Sequence, residues 1–211
     1  MAVMQLIDAI RAAVRKVMHH VAVGLNRLSR GHLSPDLVTI VGLAMHVPIA
    51  LLIATGEHNL LAALLLLIFG LFDTLDGELA RLQNRSSVRG MLLDASTDRM
   101  KETILYTGAA YVLATGDHPT QAAWAVAACG ASLCVSYVKA KGEAAIASAK
   151  HVDHAALNKM FAKDGFLTFE LRMVVLLVGL LINQLAIVLL CIAVLASYTA
   201  LQRLVRISKV L

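Results

Sequence analysis

Four aspartates near the middle of the chain stand in two pairs. Asp73 and Asp76 are three positions apart, and Asp94 and Asp98 are four positions apart. Because residues three or four apart share a face of a helix, each pair would present two carboxylates on one helical face. Both pairs follow or begin apolar stretches, and a charged group inside a membrane helix costs about 2.5–3.5 kcal/mol to insert. Such groups therefore indicate a functional site.

The chemistry that four converging carboxylates predict is metal binding. In a low-dielectric site they repel one another unless cations neutralise them, and ligation by oxygen alone selects hard ions such as Mg²⁺ or Mn²⁺. Four carboxylates are enough to hold two ions, the usual arrangement for displacement at phosphorus. A divalent-cation transporter is the alternative from another class. It would need acidic or polar groups at mid-membrane, whereas these four cluster near one end of their segments.

The segments that carry the aspartates are two of six predicted membrane spans. Of the 211 residues, 59% are hydrophobic and 16% are charged, which is typical of polytopic membrane proteins. The mean hydropathy of +0.75 indicates the same class. The sequence therefore predicts an all-α polytopic membrane protein, with one domain over 1–211 and a six-helix transmembrane catalytic core over 34–204. The spans are predicted at about 34–55, 59–82, 88–114, 120–138, 166–182 and 184–204.

Residues 1–30 predict an amphipathic helix before the first span. Apolar residues recur there at spacings of three or four, and basic residues fall between them. A basic amphipathic helix in this position is expected to lie in the membrane interface against anionic headgroups. The alternative is an ordinary helix packed on the cytosolic face.

The basic residues lie on one side of the predicted membrane. Of the 19 lysines and arginines, 16 fall before span one, around the connection between spans two and three, between spans four and five, or at and beyond the end of span six. The connections at 56–58 and 116–119 contain none. The positive-inside rule therefore places both termini and the aspartates on the cytoplasmic side of the cell (inner) membrane. No nucleic-acid partner is expected.

The aspartates belong to a longer pattern, D-x2-D-G-x2-A-R-x8-G-x3-D-x3-D, which resembles the signature of the CDP-alcohol phosphotransferases. All eight fixed positions match over 26 residues: Asp73, Asp76, Gly77, Ala80, Arg81, Gly90, Asp94 and Asp98. A six-span architecture with an interfacial helix also fits that family. The resemblance implies an enzyme of phospholipid biosynthesis. Such an enzyme transfers a phosphatidyl group from CDP-diacylglycerol, or an ether-based CDP-lipid, to an alcohol and releases CMP.

The resemblance also implies roles for individual residues. Asp73, Asp76, Asp94 and Asp98 would ligate two Mg²⁺ or Mn²⁺ ions. Asp98 would also be the general base that takes the proton of the acceptor hydroxyl. The CDP-lipid would be bound by residues of the pattern and of the adjacent elements: Asp36, Thr39, Gly77, Ala80, Arg81, Ser87 and Gly90. The resemblance also implies a homodimer.

The acceptor alcohol is predicted from a second stretch, residues 136–144 (SYVKAKGEA). It resembles the S-Y-[IV]-K-A-[RK]-x-E-A element of bacterial phosphatidylinositol phosphate synthases, whose acceptor is inositol phosphate. The acceptor phosphate would be held by Lys139, Lys141 and Arg172. The family's E-R-x-x-R element reads TFELR at 168–172, with Phe169 in place of the first arginine. Glycerol 3-phosphate, the acceptor of a phosphatidylglycerophosphate synthase, is therefore the alternative, and both lysines also fit a solvated helix end.

Overall fold

The computed structural model describes residues 2–150 and 167–209. Throughout these ranges the regular structure is helical, which confirms the all-α prediction. The helices are α1 (Ala2–Leu28), α2 (Pro35–Thr55), α3 (Asn59–Gly70), α4 (Phe72–Leu82), α5 (Val88–Thr115), a 3₁₀ turn (Pro119–Gln121), α6 (Ala122–Lys150), α7 (Phe169–Leu181) and α8 (Leu185–Ser208).

Four segments of the described chain are long and apolar enough to cross a membrane: Pro35–Thr55, Asn59–Leu82, Pro119–Ser148 and Leu185–Ser208. They correspond to the first, second, fourth and sixth predicted spans. α3 and α4 together form one of them, because Leu71 between the two helices keeps helical backbone angles of φ −80° and ψ −11°. α5 is not among these candidate spans because of the charges in its first half, and α7 is not because it has only 13 residues. The predicted fifth span begins at Phe166, outside the described residues.

α6 continues further than the sequence pattern predicts. The predicted span ends at Val138 and is followed by a polar connection from about residue 140, whereas the helix runs without a break to Lys150. Residues 139–150 contain five alanines, and alanine has the highest helix propensity of all residues. Local propensity therefore extends the helix beyond its apolar part. The rest of the predicted connection, through 164, lies outside the described residues.

The chain divides into two compact units: Met1–Ile49 with Leu64–Lys101, and Ala50–Ala63 with Glu102–Leu211. In the first unit α1 packs against α4. Ala22, Val38, Leu75 and Leu79 form the buried core of this contact. Full burial of a leucine contributes about 1.5–3 kcal/mol, so this small core holds α1 against the helix that carries the first aspartate pair.

A neighbouring side of α1 is apolar and exposed. Ile10, Val17 and Val21 belong to the predicted apolar stripe and are 54%, 57% and 40% exposed. Met18 and Ala22 make the contacts with α4 instead. α1 therefore has one apolar face in the core of the first unit and a second apolar face that this unit does not cover.

In the second unit α8 packs against both α6 and α7. Ile146 of α6 and Ile207 of α8 form a small buried cluster, and the buried Arg203 donates from Nη1 to the carbonyl oxygen of Val135 at 3.0 Å. Gly108 of α5 approaches the backbone so closely that a Cβ atom there would overlap the carbonyl of Ala50. A glycine at this position therefore permits the close approach of α5 to the end of α2.

Candidate active site

Three of the four aspartates meet in the first unit. Asp73 and Asp76 of α4 and Asp94 of α5 each offer a carboxylate oxygen, and these oxygens all lie within 4.8 Å of one another. Asp76 is 6% exposed, and the other two side chains are partly buried. We refer to Asp73, Asp76 and Asp94 as the aspartate group. The three-residue spacing places both α4 carboxylates on one face, as the sequence predicts.

Thr39 of α2 holds one member of the aspartate group. Its hydroxyl donates a hydrogen bond to Oδ2 of Asp76, and its Oγ1 also lies 3.2 Å from the carbonyl oxygen of Pro35. Thr39 is 4% exposed, so this hydrogen bond is shielded from water. The resemblance assigns Thr39 to the CDP-lipid, and its described contact shows that it orients an aspartate.

Asp98 is connected to the aspartate group by a lysine. Lys101 Nζ donates to Oδ1 of Asp73 and lies 3.7 Å from Oδ1 of Asp98. Oδ2 of Asp98 lies 3.5 Å from Nη2 of Arg99. In the described part of the chain, Asp98 Oδ1 is buried and accepts no hydrogen bond. Lys101 therefore lies between the fourth aspartate and Asp73 of the aspartate group.

Lys101 is the site residue that the sequence analysis missed. The sequence did contain a signal for it, because only three of the 19 basic residues do not belong to the basic groups of the predicted cytoplasmic side: Arg99, Lys101 and Arg172. Lys101 follows Asp98 by three positions and therefore shares its face of α5. A buried ammonium needs a counter-charge, so an aspartate was the expected partner.

The ligand atoms of the aspartate group fit a hard divalent cation. Each is a carboxylate oxygen, the donor type that Mg²⁺ and Mn²⁺ prefer. Their mutual separation of at most 4.8 Å permits shared ligation of an ion. The residues present therefore suit the metal that the sequence pattern predicts.

A sequence model of the CDP-alcohol phosphatidyltransferases matches residues 32–201. The chain belongs to the CDP-alcohol phosphatidyltransferase family. The matched range includes all four aspartates and most of the described helices, and it confirms the resemblance drawn from the signature. Membership of this transferase family also confirms that the chain is an enzyme, which decides against the cation transporter.

Individual CDP-alcohol phosphatidyltransferases resemble the chain over most of its length. The phosphatidylinositol phosphate synthase of Corynebacterium glutamicum is 32% identical over 185 residues, which cover 83% of this chain and 78% of the relative. The Mycobacterium tuberculosis phosphatidylinositol phosphate synthase, solved with CDP-DAG bound, is 27% identical with a TM-score of 0.75, covering 91% of this chain and 94% of that chain. The structure of that enzyme in complex with manganese and citrate is 26% identical to this chain with a TM-score of 0.76. The match covers 90% of this chain and 88% of that chain.

Arg81, a fixed position of the family signature, is held by an acidic neighbour. Its Nη2 lies 2.5 Å from Oε1 of Glu78 and 3.5 Å from the point where a Cβ atom on Gly77 would stand. Glu78 also contacts Arg15 at 3.3 Å and His19 at 3.1 Å, both on α1. Only 7% of its side chain is exposed. Glu78 therefore connects α1 to the arginine that is predicted to bind the CDP-lipid.

Three further residues predicted to bind the CDP-lipid, Ala80, Ser87 and Gly90, lie in or next to the connection between α4 and α5. Ser87 Oγ accepts a hydrogen bond from the backbone N–H of Gly90 at 3.0 Å, and so caps the start of α5. The carbonyl oxygen of Ala80 accepts from the N–H of Arg85 at 2.8 Å, where the helix ends. Asn84 in this turn has a positive φ of 54°. These hydrogen bonds fix the short loop that joins the two aspartate helices.

Asp36 lines a groove of about 360 Å³ in the first unit. The other lining residues are Ile40, Arg89, Leu92, Leu93 and Ser96. Arg89 Nη2 lies 3.9 Å from Oδ2 of Asp36 at the charged part of the groove. Apolar walls beside charged groups suit a lipid with a polar headgroup.

Arg172, a predicted acceptor residue, has its guanidinium group occupied by protein atoms. Nε and Nη2 donate to the two carboxylate oxygens of Glu102 at 2.6 and 3.1 Å. Nη1 donates to the carbonyl oxygen of Leu167 at 2.9 Å. Arg172 is 1% exposed, so these contacts are buried inside the second unit. The role of Arg172 in binding the acceptor phosphate stays a prediction. The structure adds that its guanidinium group pairs with Glu102.

The two predicted acceptor lysines lie on α6 and contact nearby residues of the same helix. Lys139 Nζ is 3.7 Å from Oε1 of Glu143, one turn away, and its side chain is 40% exposed. Lys141 Nζ lies 5.8 Å from the ring centroid of Tyr137. Both residues remain accessible to a solute, which their predicted role requires.

Proposed function

We propose that this chain transfers the phosphatidyl group of CDP-diacylglycerol to inositol phosphate, giving phosphatidylinositol phosphate and CMP. The aspartate group carries the proposal, because it gathers three carboxylates of the family signature in one place. The acceptor is supported by relatives named phosphatidylinositol phosphate synthase, which are similar over most of the chain. The donor is supported by the solved relative with CDP-DAG bound.

Asp73, Asp76, Asp94 and Asp98 would hold two divalent ions, Mg²⁺ or Mn²⁺. When bound, such ions neutralise the charge of a diphosphate and favour displacement at phosphorus. Thr39 contributes by fixing the carboxylate of Asp76 with its buried hydrogen bond. A fixed carboxylate loses little conformational freedom when it binds a cation.

Asp98 acts as the general base in this proposal. The acceptor hydroxyl oxygen attacks the lipid-linked phosphorus, its proton passes to Asp98, and the bond from phosphorus to the CMP oxygen breaks. Oδ1 of Asp98 suits this role because, among the described residues, it is buried and accepts no hydrogen bond. The general base must lie within hydrogen-bond reach of the proton it takes, and Oδ1 can accept that proton while Lys101 Nζ stays 3.7 Å away.

Arg81 and Gly77 would hold the diphosphate of the donor. Arg81 stands beside the bare helix surface of Gly77, so a phosphate can reach both the guanidinium group and the backbone. Glu78 keeps the arginine in this position. The groove beside Asp36 offers apolar walls for the glycerol and the first part of the acyl chains.

The proposed topology has six spans in one membrane domain over 1–211, with the N-terminal helix in the interface. α5 is 28 residues long, about 42 Å at 1.5 Å per residue, and its charges lie between 89 and 102. That length leaves an apolar half to enter the bilayer. The exposed apolar face of α1 supports its interfacial position. The basic loops favour a cytoplasmic active site in the inner membrane.

A homodimer is part of the same proposal and rests on the family resemblance. The mass of the purified protein in detergent, measured by light scattering with the detergent contribution subtracted, tests it. A mass of two chains is expected, and a mass of one chain would contradict the prediction.

Glycerol 3-phosphate is the second candidate acceptor. It is favoured by Phe169, which stands where the family element has its first arginine, and by Glu102, which occupies the remaining arginine. Either acceptor carries a phosphate, which agrees with the two accessible lysines on α6. Free inositol has no phosphate and would leave these lysines without a counter-charge.

A measurement of CMP release distinguishes between the candidate acceptors. The purified chain in detergent is supplied with CDP-diacylglycerol, Mg²⁺ and inositol phosphate, glycerol 3-phosphate or free inositol in parallel. We expect release with inositol phosphate and background release with free inositol. Release with glycerol 3-phosphate alone would assign the chain to the second candidate. Release that needs no phosphorylated acceptor would contradict both.

A further inference from the structure

Lys101 places a fully buried positive charge at the aspartates. Its side chain is 0% exposed, whereas those of Asp73 and Asp98 are 19% and 16% exposed. The ammonium donates to Asp73 and lies 3.7 Å from Oδ1 of Asp98, so it joins the two aspartate helices. A buried ammonium is stable only when carboxylates surround it, and these two supply that environment.

The charge balance of the site makes this lysine unusual. Four carboxylates carry at most four negative charges, and two divalent cations would offset all of them. Lys101 adds a fifth positive charge at the same carboxylate oxygens. Arg99 adds another cation nearby, but it contacts Oδ2 of Asp98, the oxygen that Lys101 does not approach, and its side chain is 21% exposed. Water therefore screens Arg99 more than it screens Lys101.

We propose that Lys101 is a resident cation of this site, whose ammonium competes with divalent ions for the oxygens of Asp73 and Asp98 and so lowers the metal affinity. This inference rests on the proposed metal-binding role of the aspartates. The competition has two physical sources. Like charges repel across a buried site, and each carboxylate lone pair that Lys101 uses is withdrawn from a metal ion.

The proposal gives Lys101 a defined effect on the reaction. A site with a resident cation is already partly neutralised, so the four aspartates can stay together in apolar surroundings at low metal concentration. The enzyme then needs a higher concentration of divalent ion to saturate. Removal of the lysine charge would make the site more negative and raise its affinity for divalent ions.

The test measures Mn²⁺ binding directly, without turnover. The purified full chain in detergent is titrated with Mn²⁺, and free Mn²⁺ is quantified by electron paramagnetic resonance. Lys101→Met removes the charge and Lys101→Gln keeps an N–H donor for Asp73. Lys101→Arg keeps the charge. Lys16→Met is the matched control, since it removes an exposed lysine of the same unit.

Competition predicts that the two neutral variants bind Mn²⁺ about tenfold more tightly than the wild type. Lys101→Arg and Lys16→Met are expected to stay within about twofold of it. Equal or weaker binding by Lys101→Gln and Lys101→Met would overturn the proposal, because a purely structural lysine would loosen the site when removed.

A double variant keeps the proposal testable if both neutral variants fail to fold. Lys101→Met with Asp98→Asn removes one charge of each sign and keeps the net charge of the site. Competition predicts that it binds Mn²⁺ more tightly than Asp98→Asn alone, since Asp73 is released. Equal or weaker binding would overturn the proposal as well.

Asp76→Asn distinguishes failure of this inference from failure of the proposed function. If the wild type shows no Mn²⁺ binding that Asp76→Asn removes, the metal role of the aspartates is wrong and the competition falls with it. If that binding is present but the Lys101 variants do not tighten it, only the inference about Lys101 is wrong.

Discussion

Arg172 and Glu102 form a two-point ion pair in the second unit that water barely reaches. Nε and Nη2 of the arginine lie 2.6 and 3.1 Å from the two carboxylate oxygens, and both side chains are 1% exposed. Loss of one partner of such a pair leaves a buried charge and costs about 3–5 kcal/mol, whereas replacement of both by apolar residues is often neutral. The pair therefore allows structural and functional roles of Arg172 to be separated.

Arg172→Met is expected to lower the free energy of unfolding by about 3–5 kcal/mol. The double variant with Glu102→Met should recover most of that loss, because no charge is left buried. Thermal unfolding in detergent measures both. If Arg172 holds the acceptor phosphate, the stable double variant should still show a raised KM for the acceptor and a nearly unchanged KM for the CDP-lipid. A normal acceptor KM in that variant would restrict Arg172 to a structural role.

Asp98→Asn is expected to lower the rate of CMP release by roughly 10²–10⁴-fold, because an amide cannot take the proton of the acceptor hydroxyl. Binding of the CDP-lipid should change by no more than about threefold, since the other aspartates and Arg81 remain. Asp117→Asn, in an exposed loop, is the matched control. Normal turnover in Asp98→Asn would show that another group is the base.

Glu78→Gln should weaken the interaction with the CDP-lipid. The carboxylate holds Arg81 and contacts Arg15 and His19 of α1, so an amide in its place would leave two arginines and a histidine with a weaker partner. We expect the KM for the CDP-lipid to rise about tenfold, with a smaller change in the acceptor KM. Glu57→Gln, an exposed glutamate, serves as the control. An unchanged KM for the CDP-lipid would mean that Arg81 binds this substrate without being positioned by Glu78.

The spacing of the aspartates predicted their arrangement well. Spacings of three and four positions between carboxylates fix a shared helix face, and a short loop between two helices brings those faces together. The structure gathers Asp73, Asp76 and Asp94 as this local geometry requires. The boundaries of α2 and α5 also agree with the predicted spans, because an apolar run with a clear start leaves few alternatives.

Other features depend on contacts that no local pattern encodes. The hydrogen bond from Thr39 to Asp76 joins residues 37 positions apart, and the bond from Lys101 to Asp73 joins residues 28 apart. The extra length of α6 came from alanine propensity, which a search for apolar spans ignores. The exposed Ile10 and Val17 show that the packing of α1 buries only part of its predicted apolar positions.

Gly108→Ala is expected to destabilise the protein, because the added Cβ would overlap the carbonyl of Ala50. A shift of the backbone to relieve this contact should cost about 1–3 kcal/mol. Gly130→Ala is the matched control, since that helical glycine has no atom within 4 Å of the added Cβ, and it should be neutral or stabilising by up to about 1 kcal/mol. Thermal unfolding of both variants checks this, and equal melting temperatures would contradict the close approach.

The central claim is metal-dependent phosphatidyl transfer at the aspartate group, and incorporation of labelled inositol phosphate into lipid tests it most directly. The purified chain receives CDP-diacylglycerol, ³²P-labelled inositol phosphate and Mg²⁺, and extracted lipid is counted beside released CMP. The account predicts one labelled lipid per CMP, loss of both on chelation, and loss of both in Asp76→Asn. Labelled lipid that persists in Asp76→Asn, or no labelled lipid from a folded wild-type chain with inositol phosphate, would contradict it.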